Sequence, residues 1–318
     1  MKNNFFKKLI ILIVVFLGLG FIVGKLNLDG QAPQKITQNS ILRLDMNGVI
    51  LNGKKFLANV DGYAKNDHIK AVLIDINSPG GAVGPSQEMF QAIKNIKDGL
   101  KKPVVCVTTG IMASGAYYAG VACDKIVVAP GALIGSIGVI FEFANMEKLY
   151  DWAKISRYSI TSGKYKDSGA EYRSMRDDEK ALFQGLVDEV YAQFRDTVKT
   201  SRNLADDKLD QYADGRVFTG VTAVKEGFAD QIGFYNDAVK LAAEMAKLGD
   251  NYTVFTPPKK KTSIFDIGAE REDSLNSLVE FADSLKAQKG LSLEDAFKFL
   301  LKTRYLNQPM YLMPGVWE

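Results

Sequence analysis

Between residues 41 and 128 the chain alternates short apolar runs with stretches of helical spacing, and this alternation narrows the folds open to it. Residues 41–46, 71–76, 104–108 and 125–128 are brief and largely apolar, and the last three runs are rich in β-branched side chains, the pattern of strands. Residues 85–96, 114–121 and 146–153 have helical spacing. Strands that alternate with helices form βα units, so an α/β domain with a mainly parallel sheet is expected. Residues 177–201 form the clearest long helix. Leu182, Leu186, Val187, Val190, Tyr191, Phe194 and Val198 share one face, and Asp177, Asp178 and Glu179 fill the first turn, where acids favour the helix dipole. Residues 214–220 read as a turn and short strand, and 221–226 as a helix ended by Gly227.

The two ends of the chain differ from this middle. Residues 9–24 are uninterrupted and apolar, and Phe5 and Phe6 extend the run past Lys7 and Lys8. A bilayer-crossing helix needs about 17–25 residues, so the stretch to Leu26 suffices, with its lysines snorkelling to the interface. No small-residue cleavage site succeeds it, and an uncleaved signal anchor is expected over 1–26. Lys2, Lys7 and Lys8 precede the run and hold the N-terminus on the cytoplasmic side, which sets the rest outside the cytoplasm. A polar linker comes next over 27–38, and the main domain spans 39–248. From 249 to 318 come a charged linker around Pro257-Pro258-Lys259-Lys260-Lys261 and helical patterns at 274–286 and 293–301. The second of these is opened by a Ser292-x-x-Asp295 capping box. The last eleven residues are apolar and bounded by prolines, too interrupted for a helix.

Residue counts exclude several chemistries. The net charge is +3, but residues 1–26 hold four lysines and no acid, which leaves 36 basic and 37 acidic residues elsewhere. No basic surface for nucleic acid is expected. His68 is the only histidine, so a polyhistidine zinc site is excluded. It lies in the polar turn Lys65-Asn66-Asp67-His68-Ile69-Lys70 and reads as a surface residue. Two cysteines, Cys106 and Cys123, cannot make a zinc ribbon. They could pair, but Cys106 sits inside an apolar strand, and a packed free thiol is the expectation. No Gly-x4-Gly-Lys-Ser/Thr loop is present, and no metal or other cofactor is expected.

Two loops after strands remain as candidates for chemistry. Asn77-Ser78-Pro79-Gly80-Gly81 offers backbone N–H groups unobstructed by a Cβ. Ser114 stands at the start of a helix, where exposed N–H groups and the dipole favour a developing oxyanion. Equally, both loops could be tight turns, with Ser114 only a helix cap. Met112 and Ala116 replace the glycines of a Gly-x-Ser-x-Gly elbow, so a lipase-type site does not fit. A nucleophilic serine here needs a base other than His68, and a lysine can serve if burial lowers its pKa.

The motifs come in a recognisable order. They are Asn77 to Gly81, then Met112-Ala113-Ser114-Gly115-Ala116-Tyr117-Tyr118-Ala119, then Ile134-Gly135-Ser136-Ile137-Gly138-Val139, then Ser162-Gly163-Lys164-Tyr165-Lys166-Asp167, then Asp214-Gly215-Arg216-Val217-Phe218-Thr219-Gly220. This series resembles the signal peptide peptidase A family, or protease IV, in its short single-domain form, over residues 39–248. The resemblance implies a Clp-protease/crotonase-like ββα spiral domain, to which the apolar run adds an N-terminal transmembrane helix and the helical patterns a C-terminal extension. It implies a serine–lysine peptidase with Ser114 as nucleophile, Lys166 as general base and Ser136 orienting the lysine. The N–H groups of Gly81 and Gly115 would form the oxyanion hole. Lys164 is the rival base, and Asp167 must point away from the site, because a neighbouring acid raises a lysine pKa.

The same resemblance implies a membrane-anchored endopeptidase that degrades signal peptide remnants and other peptides. Its catalytic domain would face the outside of a bacterial inner membrane, and homo-oligomers would carry sites at protomer interfaces. The apolar tail is small enough to fill a peptide groove, to line a subunit interface or to pack on its own domain. A crotonase-type acyl-CoA enzyme, a stomatin-associated membrane protease and a non-catalytic scaffold are the competing readings.

Overall fold

The expected strands line up in one sheet. A computed structural model describes residues 36–258 and the backbone of residues 310–312. Strand β1 (Ser40–Asn47) is followed by α1 (Lys54–Tyr63), β2 (Ile69–Asn77), the short β3 (Gly80–Ala82) and α2 (Val83–Lys94), which runs into a π turn. Next come β4 (Val104–Thr108), β5 (Ile111–Ala113), α3 (Gly115–Gly120), β6 (Lys125–Val128) and β7 (Leu133–Gly135). An arm carrying α4 (Glu147–Trp152) leads to the long α5 (Asp177–Arg202) and to α6 (Asp206–Tyr212). The series continues with β8 (Val217–Thr219), α7 (Gly220–Lys225), β9 (Gln231–Ile232), α8 (Tyr235–Met245) and β10 (Thr253–Phe255). In the tail stands β11 (Met310–Leu312).

The main sheet has the order β10-β1-β2-β4-β6-β9, and each of its pairings is parallel. The architecture is thus mixed α/β with a parallel sheet, in keeping with a Clp/crotonase-like fold. On β2, consecutive residues Val72, Leu73 and Ile74 are all fully buried, so both faces of the sheet are covered, as parallel sheets require. One face takes α8, whose Ala238, Ala242 and Ala243 pack on Ile41, Leu73, Val105 and Val127. Small side chains let that helix approach closely. The sheet continues past residue 248, because β10 pairs with β1.

The free-thiol expectation is wrong. Cys106 of β4 and Cys123, just past α3, form a disulfide with Cα atoms 6.0 Å apart. Both residues are nearly inaccessible, so burial alone could not distinguish a packed thiol from a bond. The link closes a separation of 17 residues, for which loop-closure entropy gives about 3 kcal/mol. Cys123→Ala together with Cys106→Ala is therefore expected to lower stability by about 2–4 kcal/mol. Denaturant unfolding with and without reductant measures this, and reductant should have no effect on the double variant.

The amphipathic helix expected at 177–201 is present as α5. In α5, Phe194 and Val198 are buried, but Leu182 and Leu186 are 38% and 42% exposed. The apolar stripe is buried at its C-terminal end and only partly covered nearer its start. The anchor expected at 1–26 and the helices expected at 274–286 and 293–301 lie outside the described residues. Among the described residues no helix is long and apolar enough to cross a membrane.

Candidate active site

The three short strands after β2 build the centre of the site. β5 pairs parallel with β7, and Ala113 stands opposite Gly135. Ser114 and Ser136 are the next residues on each strand, so the two serines emerge side by side. Ser114 N–H donates to Gly135 C=O at 2.7 Å, and Ser136 N–H donates to Arg216 C=O at 2.7 Å. Both serines have φ near +50° (51° and 52°). A side chain in that region costs about 1–3 kcal/mol and persists where the surroundings over-determine it. Here the ladder from β2 through β5 and β7 to β8 supplies that restraint.

Ser114 is fully buried, and its Oγ hydrogen-bonds to no group of the described residues. It caps α3, whose first intrahelical bond is Tyr118 N–H to Ser114 C=O at 2.8 Å. The N–H of Gly115 precedes that bond and is an orphan donor. With only six residues, α3 contributes mainly this local donor. Tyr117 fixes the helix from behind, its hydroxyl donating to Phe228 C=O at 2.8 Å.

β3 runs beside α3. It is held by Ile50, whose N–H donates to Gly80 C=O at 2.8 Å and whose C=O accepts from Ala82 N–H at 2.7 Å. The Gly80 N–H donates to the buried Ser78 Oγ at 3.2 Å. A Cβ on Gly81 would lie 2.0 Å from the Ile50 oxygen, so only glycine fits there. Ser78 and Ile50 position this loop, and sequence reading did not single out either. Their signal is register across strands, which a local pattern cannot carry.

Lys164 and Lys166 separate clearly. Lys164 Nζ pairs with Asp178 at 2.8 Å, and that hydrogen bond raises its pKa above the ordinary lysine range. A lysine held protonated in this way is a structural cation. Lys166 is exposed on the arm and makes no ion pair among the described residues. Asp167 is drawn away by Arg173 at 3.0 Å, with Arg176 at 3.8 Å. Arg173 also grips the buried Glu179 through bonds of 2.6 and 2.9 Å and holds its carboxyl down at about 2. That depressed value stabilises the base of the arm above the unfolded carboxyl pKa, and the gain fades as pH falls toward 2.

Ser114, Ser136, Gly81 and Gly115 therefore gather at the ends of β3, β5 and β7. Lys166, exposed on the arm, makes no hydrogen bond to the buried Ser114 Oγ within one chain. His68 is exposed at the opposite end of β2, whose nine residues span roughly 30 Å at about 3.3 Å per residue.

A buried serine at a strained strand-to-helix turn, beside glycine amides, is the arrangement of a serine hydrolase. Comparison with known proteins carries this further. Residues 97–249 match peptidase family S49. A candidate protease of Synechocystis is 37% identical over 213 residues, covering 67% of this chain and 76% of that protein. The chloroplast serine protease SPPA of Arabidopsis thaliana is 32% identical, over 69% of this chain and 33% of its own. A candidate signal peptide peptidase of Enterococcus faecium is 30% identical, over 67% of this chain and 66% of its own. The chain belongs to peptidase family S49, the signal peptide peptidase A or protease IV family, and is a serine peptidase that acts on peptides.

Proposed function

We propose that Ser114 is the nucleophile of a serine–lysine dyad whose general base is Lys166. Neutral Lys166 takes the Ser114 hydroxyl proton as Oγ attacks the scissile carbonyl. The N–H groups of Gly81 and Gly115 hold the oxyanion. The lysine then protonates the leaving amine, and water, deprotonated by the same lysine, releases the acyl group. Ser136, beside Ser114 in the β5–β7 register, orients the ammonium.

The observation that carries this reading is the burial and strain of Ser114, whose Oγ has no hydrogen-bond partner among the described residues. That geometry favours a Lys166 supplied by a neighbouring copy. Exposed apolar side chains on the arm, with Trp152 at 79% and Ile160 at 94%, are what a second copy would cover. Leu182 and Leu186 on α5 add to the same exposed surface type. The substrates are signal peptide remnants and other apolar peptides released at a membrane. The apolar, lysine-flanked N-terminus serves as a single-pass anchor, and the domain of residues 39–248 works outside the cytoplasm of a bacterial inner membrane. The Cys106–Cys123 disulfide supports that side, because such bonds persist in oxidising compartments.

A fluorophosphonate probe tests the assignment. It should label Ser114 alone, with labelling that rises toward alkaline pH as the lysine base loses its proton. Labelling of another serine, or none in a preparation that cleaves peptides, would refute it.

A further inference from the structure

The long helix α5 connects the nucleophile's helix to the loop of the lysines. In its C-terminal half Phe194 is buried against Tyr118 of α3, the helix that Ser114 caps, with ring centroids 5.2 Å apart. Glu179, in the first turn, stands about 22 Å along the same helix at 1.5 Å per residue. Glu179 is fully buried, and a carboxylate there needs donors in place of its lost hydration. It has four. Arg173 donates from Nη1 at 2.9 Å and from Nη2 at 2.6 Å. Arg176 donates its backbone N–H at 2.9 Å, and its Nη2 pairs with the carboxylate at 2.8 Å.

Ending the helix accounts for only one of these bonds, the Arg176 N–H of a capping box. The two guanidinium groups also reach past the carboxylate to the loop that carries Lys166. Arg173 Nη2 donates to Asp167 C=O at 3.0 Å, and Arg176 Nη2 donates to Lys164 C=O at 2.9 Å. The backbone on both sides of Lys166 is thus tied to one buried charge. Between the ties the loop closes on itself, with Lys166 N–H donating to Gly163 C=O at 3.1 Å. Beyond them Gly169 (φ 76°) lies against Phe143, where a Cβ would come within 2.5 Å of the ring. Phe143 packs in turn on Phe183 of α5, 4.4 Å between centroids. Lys164 and Asp167 are bound through their side chains, whereas Lys166 is exposed and makes no ion pair among the described residues. The restraint therefore falls on the backbone and leaves the Lys166 amine open.

We propose that Glu179 is a positioning residue of the peptidase: through Arg173 and Arg176 it clamps the backbone on both sides of Lys166 and presents that amine to the nucleophilic serine. This rests on Lys166 acting as the general base. A base carried on a loop must be held in place, because a misplacement of about 1 Å can cost about a hundredfold in rate. Glu179 touches no reacting atom, and its whole effect passes through the lysine. With α5 seated on α3 at its other end, the lysine is carried on a strut, which suits a base lent to a neighbouring copy.

The test uses two variants of the full chain. Glu179→Gln leaves one acceptor oxygen for four donors. Arg173→Lys keeps the charge but replaces the fork by a point that cannot hold Glu179 and the Asp167 carbonyl together. Each is made in the wild-type chain and in Lys166→Ala. The readouts are kcat and KM on a fluorogenic peptide, the rate at which a fluorophosphonate labels Ser114, and denaturant unfolding to verify the fold. In the wild-type chain each variant should lower kcat about 10–100-fold with KM little changed. In Lys166→Ala neither should lower kcat or labelling further, because an absent base cannot be misplaced. A folded variant with wild-type kcat overturns the proposal and leaves the base assignment standing. A loss of the same size in Lys166→Ala also overturns it, since it marks a structural role alone. An Arg173→Lys chain that does not fold does the same. Full activity in Lys166→Ala overturns both readings.

Discussion

Lys166→Ala is expected to lower peptide cleavage by about 10²–10⁴, the range for loss of a positioned general base, whereas Lys164→Ala is expected to change it little. The two lysines stand two residues apart, so composition cannot separate them. Their surroundings do. Lys164 is bound to Asp178, which raises its pKa and makes it a poorer base. That ion pair is exposed, so its loss costs little stability. Asp167, the acid next to Lys166 in the chain, is engaged by Arg173 and Arg176. Steady-state kinetics across pH on the two alanine variants decide the matter. Full activity in Lys166→Ala, or loss in Lys164→Ala, would reverse the assignment.

Gly81→Ala is expected to lower kcat by at least about 10²–10³, the cost of one lost oxyanion donor. The new Cβ would lie 2.0 Å from the Ile50 carbonyl oxygen, and backbone cannot rotate aside as a side chain would. β3 must then part from Ile50, which re-aims the Gly81 N–H. Gly84→Ala three residues on is the control, since a Cβ there meets nothing within 4 Å. A fall in kcat with KM little changed marks loss of transition-state stabilisation. Equal activity in the two variants would remove Gly81 from the oxyanion hole.

Much of the sheet was legible because its strands announce themselves. β4 and β6 coincide with the apolar runs at 104–108 and 125–128. The acidic first turn located the start of α5 at Asp177. What escaped depends on partners distant in sequence. β3, β5 and β7 are three residues each, too short for any period, and exist through their neighbours. α8 is built on alanines, which pack closely but give a weak apolar signal. The disulfide joins a strand to the segment after a helix, a closeness set by the pairing of β4 with β6. At the site, the residue types were readable from their motifs. The shared positive φ of Ser114 and Ser136 was not, because it comes from the register of β5 on β7. Nor could local pattern show that the tail strand would pair with Gly81.

Catalysis in this reading joins Ser114 of one copy to Lys166 of another. The direct measurement is peptide cleavage by a co-assembled mixture of Ser114→Ala and Lys166→Ala chains, each inactive alone. Random assembly brings an intact serine to an intact lysine at about a quarter of head-to-tail interfaces. The mixture is therefore predicted to recover about a quarter of wild-type activity. A mixture that forms mixed oligomers and stays inactive would contradict a site shared between copies.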